Sequence, residues 1–294
     1  MKGPLPGIVE QTECMMTQRI GLIGWPIKHS LSPLMQQAGF NSLGLDITYE
    51  LWETEQGNLE RMVETIRSPQ VLGANVTAPF KQEVMGLLDG MNKTAEEIGA
   101  VNTIVKSGDK LIGYNTDAEG FLRALQEEGQ FTPEGKRAVL IGAGGAARAV
   151  GFALAGAGIA SLTICNRNQK RAAILASELK VQTSSVTGIE ENGPFKEAVR
   201  ASDLLVNCTP IGMMHGPAEG QSPIPEGFIS SHTLVYDIIY NPVRTPLLLS
   251  AEKAGAKTLG GLSMLVFQGV ASFELWTQKT APVDIMMETV VKAL

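Results

Sequence analysis

Cysteine, histidine and aromatic residues are all scarce in this chain of 294 residues, which has three cysteines, three histidines and only 5% aromatic side chains. Cys14, Cys165 and Cys208 stand far apart and are odd in number. Neither a disulfide framework nor a metal-ligand spacing emerges from them, and a reducing interior is the simplest setting. Few aromatics beside 32 glycines argue for many tight turns and closely packed helices rather than an all-β sandwich. No basic run stands out and the net charge is −6, which excludes a general nucleic-acid binder but leaves small anionic ligands open. Long apolar runs are also missing. The most apolar helix candidate, "AARAVGFALAGAGIA", contains Arg148 and is too short to cross a bilayer. The opening "MKGPLPGIVEQTECMM" lacks the continuous apolar stretch of a secretory signal. We therefore expect a cytoplasmic protein with no membrane partner, residues 1–18 forming a flexible extension and Met16 offering an alternative start. The Asn-x-Thr matches at Asn75, Asn92 and Asn207 carry no expectation of glycosylation without a signal.

What is present is alternation. The length suits one large or two modest domains. "RIGLIG" reads as a short strand and "SPLMQQAGFNSLG" as a helix capped by Ser32, with Pro33 in its first turn and Gly44 at its stop. "DITYELWET" and "QVLGANVT" read as strands, "QGNLERMVETIRS" and "PFKQEVMGLLDG" as helices. Such alternation predicts a parallel sheet. "AVNTIVKSGDKLIGYNTD" reads instead as a hairpin, and "DAEGFLRALQEEG" as a helix bridging to a second domain. There the strand-then-helix texture returns, and the helices from about Leu262 are expected to pack back on the first domain. The expected fold is α/β in two domains, the first over 19–116 completed by 262–294 and the second over 117–261.

"VLIGAGGAAR" sets Gly142, Gly144 and Gly145 directly after an apolar strand and at the start of a helix. Glycine there permits a positive φ and close approach of a pyrophosphate, which the helix N-terminus then receives. A tight turn with no ligand is the plainer reading. The next strand argues against it, because "SLTICNRNQKR" ends on Asn166 and Arg167 where an NAD site carries an acid. Arg171 follows one helical turn later, so two guanidinium groups can face one anion, as the 2′-phosphate of NADP requires. Cations at a helix N-terminus are disfavoured by the dipole, which asks for a compensating anion.

Seven short stretches, "GWPIKHSLSP", "GANVTAPFK", "IGAVNT", "GYNTDAEGF", "GAGGAARA", "NRNQKR" and "GGLSMLVFQG", together resemble the shikimate dehydrogenase family from about Arg19 onward. The resemblance implies that the first domain, 19–116 with 262–294, is an open α/β substrate-binding domain, that the second, 117–261, is a Rossmann-like NADP-binding domain, and that the active-site cleft lies between them. It implies reversible NADP-linked conversion of 3-dehydroshikimate to shikimate in aromatic amino-acid biosynthesis. It also implies roles, residue by residue. Ser30, Ser32 and Tyr240 would bind the substrate carboxylate. Thr77, Lys81, Asn102, Asp117 and Gln268 would hold the ring hydroxyls, with Lys81 and Asp117 as the catalytic pair and Asn75 on the same wall. Gly142, Ala143, Gly144, Gly145, Ala146, then Asn166 through Arg171 (Asn168 included), Thr209, Ile238 and Gly261 would line the cofactor side. Asn168 departs from the more usual threonine. No metal is implied, and the oligomer is either monomer or homodimer.

The residues keep plainer readings of their own. Ser32 before Pro33 is an ordinary cap, which leaves Ser30 unexplained. Asn102 suits a turn, Asp117 a helix cap and Tyr240 a half-buried loop. Lys81 early in a helix asks for an anion, for which Asp117 is the candidate. His29 is read as structural. The rivals are a quinate or dual quinate/shikimate dehydrogenase, which must satisfy one more hydroxyl, and a dinucleotide-sensing protein without turnover, which has no need of Lys81 and Asp117 together.

Overall fold

The computed structural model describes residues 17–186 and 193–294. The expected extension over 1–18 therefore lies almost wholly outside the described residues. Among the described residues, twelve strands form two six-stranded sheets.

The first sheet begins with β1 (Gln18–Gly24), helix α1 (Ser32–Ser42), β2 (Ile47–Glu53), α2 (Leu59–Thr65) and β3 (Val71–Val76). A 3-10 turn (Glu83–Leu87), β4 (Gly90–Met91) and α3 (Lys93–Ile98) follow, then the hairpin β5 (Thr103–Ser107) and β6 (Lys110–Tyr114). The strand order is β2-β1-β3-β5-β6-β4. β1 pairs parallel with both β2 and β3, but β5 runs antiparallel to β3 and to β6, so the sheet is mixed rather than parallel. The hairpin reverses at Gly108, whose φ of 61° suits glycine.

Helix α4 (Asp117–Glu127) leads to the second sheet. That sheet contains β7 (Arg137–Ile141), α5 (Gly145–Gly156), β8 (Ser161–Cys165), α6 (Gln169–Glu178), β9 (Gln182–Val186), α7 (Pro194–Ala201), β10 (Leu204–Asn207), β11 (Leu234–Asp237), α8 (Pro246–Lys253) and β12 (Lys257–Leu259). Every pairing is parallel and the order is β12-β11-β10-β7-β8-β9, a doubly wound arrangement whose order reverses between β7 and β10. Ligands of such sheets bind in the crevice beyond the strand ends at that reversal.

Helices α9 (Leu262–Thr277) and α10 (Val283–Ala293) return to the first sheet. Val266, Val270, Phe273, Met286 and Val290 join Ile20, Leu22 and Ile47 in one buried cluster. Trp276 Nε1 donates to the Ile104 carbonyl at 2.9 Å and packs where a side chain on Gly73 would clash.

Two local expectations fail. "PFKQEVMGLLDG" forms only the 3-10 turn and the start of β4, because two glycines lower its helix propensity and the Lys81 carbonyl accepts from Val101 N–H at 2.7 Å instead of closing a helical turn. Lys81 is therefore not a helix-start lysine, and the dipole argument for its anion falls away. Ser32 does not cap α1 but opens it. Leu31 holds the boundary, and Ser30 Oγ accepts the Ser32 N–H at 3.3 Å.

Candidate active site

Three chain segments converge on Lys81. Its Nζ lies 2.6 Å from Asp117 Oδ2, and the two side chains are 15% and 6% exposed. Asp117 opens α4, where the helix dipole favours a carboxylate. Asn102 Nδ2 reaches Asp117 Oδ1 at 3.0 Å, Thr116 Oγ1 at 2.8 Å and Gln268 Oε1 at 3.3 Å. Asn102, Asp117 and Gln268 are thus brought together from the start of β5, α4 and α9. Thr77 follows β3, its N–H donating to the Ile23 carbonyl at 2.8 Å. Its methyl stands where a Cβ on Gly24 would meet it at 2.3 Å.

The serine segment closes one side. Gln36, one turn into α1, donates to the carbonyl of Gly269 beside Gln268 at 2.8 Å, which fixes the Ser30–Ser32 end of that helix against α9. Ser32 is 8% exposed, and its hydroxyl has no partner in the described chain. From the loop after β11, Tyr240 faces the backbone of Leu31. Burial pushes the Tyr240 phenol above its ordinary pKa, and that backbone contact partly offsets the rise. The rings of His29 and His215 stack with centroids 4.6 Å apart, a second contact along the same edge.

Asn75 is buried behind Asn102. Its Oδ1 accepts from Tyr49 OH at 2.7 Å, and its Nδ2 donates to Asn102 O, Thr103 Oγ1 and Ser272 Oγ within 3.1 Å. Every polar atom of its side chain is used inside the protein. Alternation along β3 puts it on the same face as Thr77, where it meets Ser272 of α9.

The crevice of the second sheet carries the glycine turn. Gly142 has φ 114°, and a side chain there would also press on the Cys208 carbonyl, so only glycine fits. Gly144 precedes α5 with open space beside it, Ala143 is buried, and Ala146 is half-buried in the first turn. A Cβ on Gly145 would stand 3.2 Å from Lys81 Cβ, so the lysine stem lies directly against the turn. Along the rim, Asn207 Oδ1 accepts from Thr209 N and Oγ1, and Ile238 N donates to Asn207 O at 3.2 Å. Gly261 crosses so close to Ile238 that any side chain there would strike its carbonyl.

At the end of β8, Asn166 Nδ2 donates to Asn168 O at 2.9 Å, and Asn168 caps α6 by accepting the Arg171 N–H at 3.2 Å. The departure from threonine thus keeps a capping side chain. Arg167 and Arg171 are exposed, the first turn of α6 holds no acid, and neither arginine pairs with a carboxylate among the described residues. Together with the glycine cradle, these unpaired cations fit the pyrophosphate and 2′-phosphate of NADP.

Comparison with known proteins gives the same answer. Profiles of the shikimate dehydrogenase substrate binding domain, of shikimate / quinate 5-dehydrogenase and of the shikimate 5′-dehydrogenase C-terminal domain match residues 22–104, 124–212 and 261–291. Shikimate dehydrogenase (NADP(+)) from Desulforamulus reducens is 46% identical over 94% of this chain and 95% of its own. The enzyme of that name from Methanopyrus kandleri is 45% identical over 95% and 96%. The crystal structure of shikimate 5-dehydrogenase from Thermus thermophilus in complex with NADP(H) and shikimate superposes with a TM-score of 0.84 at 36% identity, over 94% of this chain and all of that one.

The chain belongs to the shikimate dehydrogenase family. It is an α/β member with an N-terminal domain of the substrate-binding type and a Rossmann-like domain. Its site also uses residues that sequence reasoning passed over. Asn115 Oδ1 accepts the Asp117 N–H at 3.1 Å while its Nδ2 donates to Ala100 O at 2.9 Å, pinning the backbone of Asp117. Thr103, Thr116 and Ser272 link hydroxyl to hydroxyl behind Asn102. The doubled Asn-Thr pairs of "VNT" and "YNT" were the available signal. Asp237 ends β11 fully buried, accepting from Thr245 Oγ1, Asn207 Nδ2 and Ile239 N. Burial pushes its carboxyl up to about 6. Among the described residues no helix is long and apolar enough to cross a membrane, and no cluster of metal-ligating side chains occurs.

Proposed function

We propose that this protein catalyses the reversible NADP-linked reduction of 3-dehydroshikimate to shikimate. One observation carries the proposal above all: Lys81 pairs with Asp117 at 2.6 Å while its stem lies against Gly145 of the dinucleotide turn. A proton-transferring group thus stands between the substrate pocket and the cofactor crevice.

Ser30, Ser32 and Tyr240 receive the substrate carboxylate at the start of α1, where hydroxyls and backbone N–H groups converge. Thr77, Asn102, Asp117 and Gln268 hold the ring hydroxyls. The glycine turn, Thr209, Ile238 and Gly261 cradle the dinucleotide, and Arg167 and Arg171 take its 2′-phosphate. Bound NADP supplies the carbon that gives or accepts the hydride. In the reducing direction Lys81 donates a proton to the carbonyl oxygen as negative charge develops there, and so stabilises that charge. In the oxidising direction Lys81, having first lost a proton to solvent, takes the hydroxyl proton as the adjacent C–H bond breaks. Asp117 holds the ammonium in place, and Asn102 holds Asp117.

In this reading residues 19–116 and 262–294 serve substrate, residues 117–261 serve NADP, and the enzyme works in the cytoplasm as a monomer or homodimer. The test is absorbance of the reduced nicotinamide with shikimate or quinate against NADP or NAD. Turnover of shikimate with NADP is expected. Preference for quinate would move the assignment to a quinate dehydrogenase, and binding of NADP with no turnover of either acid would leave a sensing protein.

A further inference from the structure

Arg148 belongs to the "GAGGAARA" stretch, yet it touches neither the substrate wall nor the dinucleotide turn's open side. Its backbone N–H donates to Gly144 O at 2.9 Å, which places it in the first turn of α5, and it is 8% exposed. A buried guanidinium loses its hydration, and at a helix N-terminus it also opposes the dipole. An apolar side chain of similar length would fill the space without either cost. What offsets both costs is a pair of partners on other elements. Arg148 Nε donates to the carbonyl of Ile98, the last residue of α3, where a cation is favoured. Its Nη2 lies 2.5 Å from Glu178 Oε2 at the end of α6. Gly99 makes room for it: a Cβ there would stand 2.7 Å from Nη2, and the φ of 67° also requires glycine.

The segment that Arg148 grips is the one that holds the catalytic pair. Immediately after Ile98 and Gly99, Ala100 O accepts from Asn115, whose other amide atom fixes the Asp117 N–H. Val101 N donates to Lys81 O at 2.7 Å. Asn102 Nδ2 donates to Asp117 Oδ1 at 3.0 Å. On the other side, Arg148 shares its turn with Gly144 and Gly145, and Glu178 closes the helix that Arg167 and Arg171 introduce. The glycine turn, and through Glu178 the far end of α6, are thus tied to one five-residue segment.

We infer that Arg148 is a positioning residue that couples occupancy of the dinucleotide site to the geometry of Lys81 and Asp117. The inference rests on the function proposed above. It predicts that shikimate and dinucleotide bind synergistically, and that the synergy passes through the Ile98–Arg148–Glu178 contact.

The test measures shikimate dissociation constants with and without saturating NADPH, a pair that cannot react, in the unaltered protein, in Arg148→Met and in Glu178→Gln. Glu178 is part-exposed, so its variant keeps the inference testable even where Arg148→Met folds poorly. We expect each ligand's affinity for the otherwise empty protein to stay within about twofold of the unaltered value. The coupling factor should fall toward one, and kcat should drop about tenfold, the loss expected when a catalytic group is slightly misplaced. A lowered melting temperature with coupling and kcat intact in a folded variant would show a merely structural residue and overturn the inference. A coupling factor of one in the unaltered enzyme overturns it too. Absence of any turnover by the unaltered protein sinks the functional reading first and this inference with it.

Discussion

Lys81 Nζ and Asp117 Oδ2 stand 2.6 Å apart although one follows β3 and the other opens α4. The separation along the chain is bridged by Asn102, which donates to the carboxylate's second oxygen. A pair so confined acts as a unit. Lys81→Met should cut turnover about 10²–10⁴-fold, the span for losing a general acid–base group. Dissociation constants for shikimate and NADP should change much less. Asp117→Asn should be severe as well, and the double variant little worse than either single one. Near-normal kcat for Lys81→Met at saturating substrate would end the catalytic reading.

Arg167 and Arg171 face outward from the capped start of α6 with no acid beside them. If they share the 2′-phosphate, each charge-assisted hydrogen bond contributes roughly 1.5–3 kcal/mol. Arg167→Asp should then raise KM for NADP by one to several powers of ten and leave NAD nearly unaffected. Equal losses with the two cofactors would remove this role.

The serine segment separates two explanations. Ser30 Oγ accepts the Ser32 N–H at 3.3 Å, a long bond, while the Ser32 hydroxyl is left without a partner. Ser30→Ala should therefore raise KM for shikimate, with the KM for NADP and the melting temperature almost unchanged. Loss of stability alongside unaltered shikimate kinetics would assign Ser30 to helix capping.

Much of the candidate site was legible because the chemistry proposed for it needs unusual residues at fixed places. Gly142 announces a positive φ after a strand, and Arg167 stands where an acid belongs in an NAD site. The parts that were not legible depend on partners distant in sequence. Asn75 reads as pocket wall from the strand it ends, yet the side chains that consume its amide come from β2, β5 and α9. The segment after Phe80 has the apolar spacing of a helix, but Val101 captures the Lys81 carbonyl and turns the chain. Arg148 looked like a charge interrupting an apolar helix, because Ile98 and Glu178 are 50 and 30 positions away.

The placement of Asn75 can be tested through Tyr49. Tyr49→Phe removes the hydroxyl that Asn75 Oδ1 accepts and leaves a buried acceptor unpaired, a loss of about 1–3 kcal/mol. Urea unfolding should show that loss, while KM for shikimate stays within about twofold because the amide of Asn75 is committed to partners inside the protein. A large rise in KM with unchanged stability would return Asn75 to the pocket.

Asp237 gives the enzyme a pH signature that can be read without activity. The carboxyl is fully buried at the end of β11, and burial pushes it up to about 6 despite donors from Thr245, Ile239 and Asn207. In the unfolded chain an aspartate titrates near 3.9. Between about pH 4 and 6 the folded protein therefore binds more protons at this position than the unfolded chain does. Stability from this group is greatest at the acid end, falls as pH rises through that window and is flat above it. Asp237→Asn cannot ionise and lacks the slope. Other groups contribute equally to both proteins, so the difference in unfolding free energy isolates Asp237. Between pH 4.5 and 7 the variant should gain about 2 kcal/mol relative to the unaltered protein. Its absolute stability should still be lower, because an amide nitrogen cannot accept from the groups that donate to the carboxylate. A relative stability that falls with pH would mean that the three donors hold the carboxyl below its ordinary range, and that burial does not dominate at the end of β11.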